Sequence, residues 1–194
     1  MNKIEIYGVA ASSYVQTVRL VCGELGLAYE LLPIEFKQPS HKALHPFLKM
    51  PAMRATINGG DVQLFETLGI VTYLYGQNED QRLVPGKLLN RCQMYSWISA
   101  AIDYYYPTLV RGPLAGAIDM EACGYQLKLL DEQLLQTPYI AGPELSLADL
   151  FLFPMVCFIE RQAPCDGERP FKALDAWLAA LKEREGFAEV TNVD

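Results

Sequence analysis

Up to about residue 76 the chain alternates segments of apolar period two with segments of period 3.6, and after Lys87 the period-two segments disappear. Strands and helices first, then helices alone, is a strong restriction. It calls for a mixed α/β domain followed by an all-helical one, because each kind of element must bury its apolar face against a layer of its own.

Lys3 to Val9 and Tyr29 to Glu35 read as strands around a helix from Tyr14 to Leu27 that closes near Gly26, and a polar loop containing Pro39 follows. Met53 to Ile57 and Val62 to Phe65 flank Asn58-Gly59-Gly60-Asp61, whose Asn-Gly and Gly-Gly dipeptides are strong hairpin-turn signals. A helix from Thr67 to about Tyr75 completes a βαβ-ββα unit, and with an X-Pro bond at the start of its third strand the arrangement is thioredoxin-like. The expected domains are residues 1–76, a polar linker 77–86 (Gln-Asn-Glu-Asp-Gln-Arg-Leu-Val-Pro-Gly) and an all-helical domain 87–194. Pro-Gly punctuation at Gly112-Pro113, Pro138 and Gly142-Pro143 separates the helices of the second part. Within it, Ser146 with Asp149 three positions on forms a capping box with Asp in place of Glu, flanked by Leu145 and Leu150 at the positions of a hydrophobic staple. Trp177 lies at amphipathic spacing and reads as core.

With 51 % hydrophobic and 20 % charged residues among 194, the chain can bury a core, which argues against disorder. A formal net charge of −7 without a block of Lys or Arg disfavours nucleic acid or an anionic membrane as the main partner. Met1-Asn2-Lys3-Ile4-Glu5-Ile6 lacks a basic region followed by an apolar run, and no segment runs about 18 apolar residues without a charge, so a soluble, cytoplasmic protein is expected. Cys22, Cys92, Cys123, Cys157 and Cys165 are widely spaced with no Cys-x-x-Cys pair, and read as buried reduced thiols rather than a disulfide framework or a zinc site. His41 and His45 are the only histidines, so neither a histidine triad nor a metal site is expected.

Three short stretches carry the chemistry. Ala11-Ser12-Ser13-Tyr14-Val15-Gln16-Thr17-Val18-Arg19 puts hydroxyls where a strand turns into a helix. Phe47-Leu48-Lys49-Met50-Pro51 supplies a proline whose preceding residue can offer extended backbone, and Leu64-Phe65-Glu66-Thr67 puts a carboxylate and a hydroxyl just before another helix. In order and spacing these resemble the glutathione S-transferase superfamily, and the resemblance covers essentially the whole chain. Ser12 to Arg19 is similar to the Ser-Ser-Cys-x-Trp-Arg-Val-Arg of zeta members and the Ser-Pro-Phe-x-x-Arg-Val-Arg of tau members. His45-Pro46-Phe47-Leu48-Lys49-Met50-Pro51-Ala52-Met53 resembles the family's Asn-Pro-x-Gly-x-Val-Pro-x-Leu, and Phe65-Glu66-Thr67-Leu68-Gly69-Ile70 its Glu-Ser-x-Ala-Ile. Tyr139-Ile140-Ala141-Gly142 and Leu145 to Asp149 resemble its helical-domain signature. Leu48 replaces the usual Gly, Ser13 the frequent Pro, and Phe36 stands before Lys37 where phi members often carry His-Lys, so the serine-type class (tau-, phi- or zeta-like, or a bacterial relative) is left open.

The resemblance implies an enzyme with glutathione as co-substrate and no metal. A thiol of pKa about 8.5 is only a few per cent ionised at neutral pH, so such an enzyme must favour the thiolate. A hydroxyl and the amides at a helix N-terminus can do that. By the resemblance Ser12 takes this role, a cis Pro51 presents the Met50 backbone, Glu66 and Thr67 bind the γ-glutamyl end, and Lys37 and Lys49 meet the glycyl carboxylate. Tyr104, Tyr105 and Arg111, from a stretch that also holds Tyr95, Trp97 and Tyr106, would line the electrophile subsite, although three consecutive tyrosines on a helix cannot all face one cleft. A homodimer is implied, with a small electrophile as the second ligand. Open alternatives are a capping role for Ser12 or Ser13, Tyr7 or Tyr14 as the thiolate donor, a glutathione-dependent isomerase or dehalogenase, and a non-catalytic interaction protein.

Overall fold

Burial alternates along the first strand, with Ile4 and Ile6 inside and Lys3, Glu5 and Tyr7 facing the other way. Such a strand needs a helical layer over one face only. The structure, a computed structural model, describes residues 3–57, 59–77, 82–164 and 170–191. It divides into two compact units, Met1–Gln81 with Glu189–Asp194, and Arg82–Ala188. The expected linker spans the division, and its residues 78–81 lie outside the described residues.

In the first unit four strands, β1 (Lys3–Tyr7), β2 (Glu30–Leu32), β3 (Ala52–Ile57) and β4 (Gly60–Phe65), lie in the order β2-β1-β3-β4. β1 runs parallel to β2 and antiparallel to β3, and β3 pairs antiparallel with β4. Helices α1 (Ser13–Glu24) and α3 (Thr67–Gly76) pack together on the apolar face, burying Val15, Val18 and Val21 with Ile70, Val71 and Leu74. The fold is thioredoxin-like. It departs from the sequence reading at several boundaries, each for a local reason. β2 stops at Leu32 instead of reaching Glu35, because Pro33 has no amide to continue the ladder. The loop around Pro39 is a short helix, α2 (Pro39–Leu44), which Pro39 starts from the first turn, where its missing amide costs nothing. β1 ends at Tyr7 rather than Val9. A Cβ on Gly8 would lie 2.4 Å from Val15 Cγ2, so Gly8 is what lets the strand end pass against α1. The β3–β4 hairpin pairs Ile57 with Gly60 and carries Gly59 at φ +79°; Asn58 of its expected turn lies outside the described residues.

The second unit is helical throughout its described residues: α4 (Leu88–Ala100), a wide π-type helix (Ala101–Arg111), the single turn α5 (Gly112–Leu114), α6 (Met120–Leu134), α7 (Leu147–Gln162) and α8 (Lys172–Lys182). A last short helix, α9 (Phe187–Thr191), ends the description. α7 is the core, with every residue from Leu147 to Ile159 buried, as an all-round apolar helix must be. It packs on α4 and the π-type helix, while α6 packs on α8. The capping box forms as read. Asp149 accepts from the Ser146 amide (2.9 Å) and hydroxyl (2.9 Å), and also from the Ile140 amide (2.9 Å) and Trp177 Nε1 (3.0 Å), so it ties the start of α7 to the preceding loop and to α8. Burial pushes its carboxyl up, and these four donors pull it back.

The π-type helix holds Pro107, which withdraws one amide from the ladder. Gln126 on α6 compensates by donating to the Tyr104 carbonyl and the Thr108 hydroxyl, both at 3.0 Å. The four described cysteines are free; Cys22, Cys123 and Cys157 are buried, with burial pushing Cys22 up to about 12. Cys92 is exposed, a correction to the expectation of buried thiols, since it sits on the outer face of α4; Cys165 lies outside the described residues.

Candidate active site

The register brings the three motifs to one end of the sheet. Tyr7 pairs with Ala52, and Ala52 with Phe65. The segments leaving β1 (toward Ser12), entering β3 (through Met50-Pro51) and leaving β4 (into Glu66-Thr67) therefore start from adjacent strand ends.

Ser12 is the residue before α1, with extended backbone (φ −72°, ψ 122°), and its side chain makes no capping hydrogen bond. The first turn of α1 holds no acidic residue. The positive end of that helix and an uncommitted hydroxyl therefore coincide, a setting that favours a bound anion. Ser13 is buried at 2 % exposure with its hydroxyl unpartnered. Tyr7 is placed differently. Its hydroxyl donates to Glu5 Oε2 at 2.7 Å on the polar face of the sheet, beside the Arg54 guanidinium, and burial followed by Glu5 makes it less acidic than an ordinary tyrosine. Tyr14 sits in the first turn of α1, partly exposed.

The Met50-Pro51 peptide is cis. Just ahead of it Leu48 has φ +53°, a left-handed conformation that glycine adopts without cost and leucine does not. This accounts for the Gly in the resembling motif. Lys37 (φ 64°) and Glu66 (φ 67°) share the conformation, so the three non-glycine residues of positive φ all lie in the loops of the site. Lys37 and Lys49 are exposed, and His41 joins their backbones: its Nδ1 accepts from the Lys37 amide (3.3 Å) and its Nε2 donates to the Lys49 carbonyl (2.9 Å). Glu66 precedes α3, whose first residue, Thr67, is buried, and the Glu66 side chain makes no capping bond. His45 Nε2 lies 3.6 Å from Glu66 Oε1. Both histidines are structural parts of the site that sequence reasoning set aside; the available signal was their position, flanking the segment that leads to Pro51.

In the helical unit Tyr104, Tyr105 and Arg111 are not brought together. Tyr104 and Tyr105 border an apolar cavity of about 490 Å³ with Trp97, Ala100, Tyr125 and Leu129, and Arg111 is not part of that lining. Tyr105 is buried, with its hydroxyl donating to the Gln126 carbonyl at 3.2 Å, so it serves packing. Arg111 acts instead on Tyr106, whose hydroxyl burial pushes up and the guanidinium pulls down. Among the described residues no group of three or more His, Cys, Asp or Glu side chains is placed to hold a metal ion, and no helix is long and apolar enough to cross a membrane.

Residues 6–82 match the sequence profile of the glutathione S-transferase N-terminal domain, and residues 117–185 that of the C-terminal domain. Glutathione S-transferase 3 of Zea mays is 31 % identical over 96 % of this chain and 92 % of its own length. Glutathione S-transferase 1 of the same plant is 26 % identical over 98 % of this chain and 96 % of its own length. Among solved structures, a glutathione transferase homolog from Drosophila mojavensis with bound glutathione superimposes with a TM-score of 0.87 at 21 % identity, covering 98 % of this chain and 92 % of that one.

Proposed function

Because the chain belongs to the glutathione S-transferase family, we propose that the site in its first unit binds glutathione and that Ser12 donates a hydrogen bond to the sulfur, favouring the thiolate that attacks a small hydrophobic electrophile or a peroxide. The enzyme is a glutathione S-transferase; the roles of its residues are as follows. The observation that carries the assignment of Ser12 is its hydroxyl, which sits at the start of α1 and does not cap it. Met50, held by the cis Pro51, offers its backbone amide and carbonyl to the cysteinyl part in strand-like pairing. Glu66 meets the γ-glutamyl ammonium, and Thr67 with the first amides of α3 meets the neighbouring carboxylate. Lys37 and Lys49, aligned through His41, face the glycyl carboxylate. Tyr106 and Arg111, five positions apart, offer an aromatic surface and a cation for the electrophile, with Tyr104 at the edge of the neighbouring cavity. The active form is a soluble, cytoplasmic enzyme.

Glu66→Ala removes the partner of the ammonium and leaves part of a polar pocket unmatched, which is expected to cost about 1.5 to 3 kcal/mol in glutathione binding. Calorimetry reads this directly, and an affinity equal to wild type sinks the γ-glutamyl assignment.

The enzyme is a homodimer in this reading, the first unit of each copy facing the helical unit of the other. Exposed apolar side chains support it on both units: Phe47 (69 %) and Phe65 (40 %) on the first, Leu88 (73 %) and Leu89 (69 %) on the second. Side chains of this size left in water are surfaces awaiting a partner when they cluster. Light scattering at micromolar concentration should give twice the chain mass of 21.7 kDa. A mass of one chain rules the dimer out.

A further inference from the structure

We infer that His45 is a positioning residue for Glu66, orienting the carboxylate that receives the glutathione ammonium; the inference rests on the role given to Glu66 above. His45 follows α2 and is buried at 1 % exposure. Its Nδ1 accepts from the Phe47 amide at 3.3 Å, so in the neutral ring the proton belongs to Nε2, the atom 3.6 Å from Glu66 Oε1. The ring is held between Phe47 and Phe65, with centroids at 6.3 and 5.1 Å. Nothing in it can rotate freely.

Glu66 needs such a partner. Its left-handed backbone fixes where the side chain starts, but 63 % of that side chain is exposed, so the carboxylate itself is free to swing unless something reaches it. His45 reaches one oxygen and leaves the other for the ligand. A neutral donor suits the task, because a cation at this place would compete with the substrate ammonium for the same charge. The surroundings keep the ring neutral: burial comes first in lowering its pKa, His41 on α2 and Lys49 in the loop ahead of β3 add to that, and Glu66 alone opposes them. The resembling family motif has Asn at this position, a side chain too short to span to Glu66. The histidine is a feature of this chain.

The test is steady-state kinetics on the full-length enzyme with glutathione varied against a saturating activated aryl chloride. His45→Asn keeps an acceptor for the Phe47 amide but lacks the reach, and is expected to raise the KM for glutathione about fivefold with kcat retained, the upper end of the value of a partly screened contact. His45→Gln, which can accept from Phe47 and still donate to Glu66, should stay within about twofold of wild type on the same scale. His45→Met, of similar length without a donor, replaces the Asn variant if that one does not fold, and should match its KM. Combined with Glu66→Gln, the His45 change should add nothing. An unchanged KM in His45→Asn or His45→Met beside a raised KM in Glu66→Gln overturns the positioning role alone, as does a Gln variant as impaired as the others. An unchanged KM in Glu66→Gln overturns the reading of Glu66 itself, whatever His45 does.

Discussion

Ser12→Ala is expected to lose about a hundredfold in turnover while the protein stays folded, the usual cost of removing one preorganised donor from a developing anion. Wild-type enzyme should hold bound glutathione with its thiol pKa lowered by about two units, equivalent to about 2.7 kcal/mol of preference for the thiolate. The variant should lose most of that shift, read as ultraviolet thiolate absorbance against pH. A helix-capping serine behaves differently: its loss costs about 1 kcal/mol of stability and little activity. Because the Ser12 side chain makes no capping bond, the change in melting temperature should be slight. Tyr7→Phe is the control, since its hydroxyl is already given to Glu5. If Tyr7→Phe abolishes the thiolate absorbance and Ser12→Ala leaves it, the assignment of the donor fails.

The largest effect on stability should come from Asp149. Asp149→Ala strands two backbone amides, the Ser146 hydroxyl and the Trp177 indole in the interior of the helical unit. The expected loss is about 3 to 5 kcal/mol, the range for removing one side of a buried charged cluster. Urea unfolding followed by tryptophan fluorescence measures it, because Trp177 is itself one of the stranded donors. Trp177→Phe, which removes a single donor and keeps the edge-to-face contact with Phe153 possible, should cost far less. Equal losses in the two variants would mean that packing of the indole, and not the carboxylate, holds this corner.

These two residues were legible in the sequence for different reasons. Asp149 announced itself through spacing alone, since a serine three residues before an acid at the head of an apolar run has a specific local geometry. Ser12 needed the order of three separate motifs, none of which means much by itself. The hidden part was the second shell. His41 and His45 carry no periodic or spacing signature, and their work depends on which backbone atoms the loop ahead of β3 brings to their ring nitrogens. Strand ends moved where a proline or a close approach overruled propensity, at Pro33 and Gly8. Among the tyrosines, the sequence reading correctly held that three neighbours cannot share a cleft. It could not say that the helix carrying them is wound to a different pitch, because a proline in a helix more often marks a kink.

That widened helix bears on how enzymes of this kind change what they act on. Between Ala101 and Arg111 the turn is one residue looser than in an α-helix, and the carbonyls it opens are held by Gln126. Deleting a single residue there would let the segment tighten, turning everything beyond the deletion by about a quarter of a revolution relative to what precedes it. Tyr106 and Arg111 would part, and a different pair would take their place. Substrate preference in this lineage is therefore open to change by gain or loss of one codon, a larger step than any point substitution on the same surface offers.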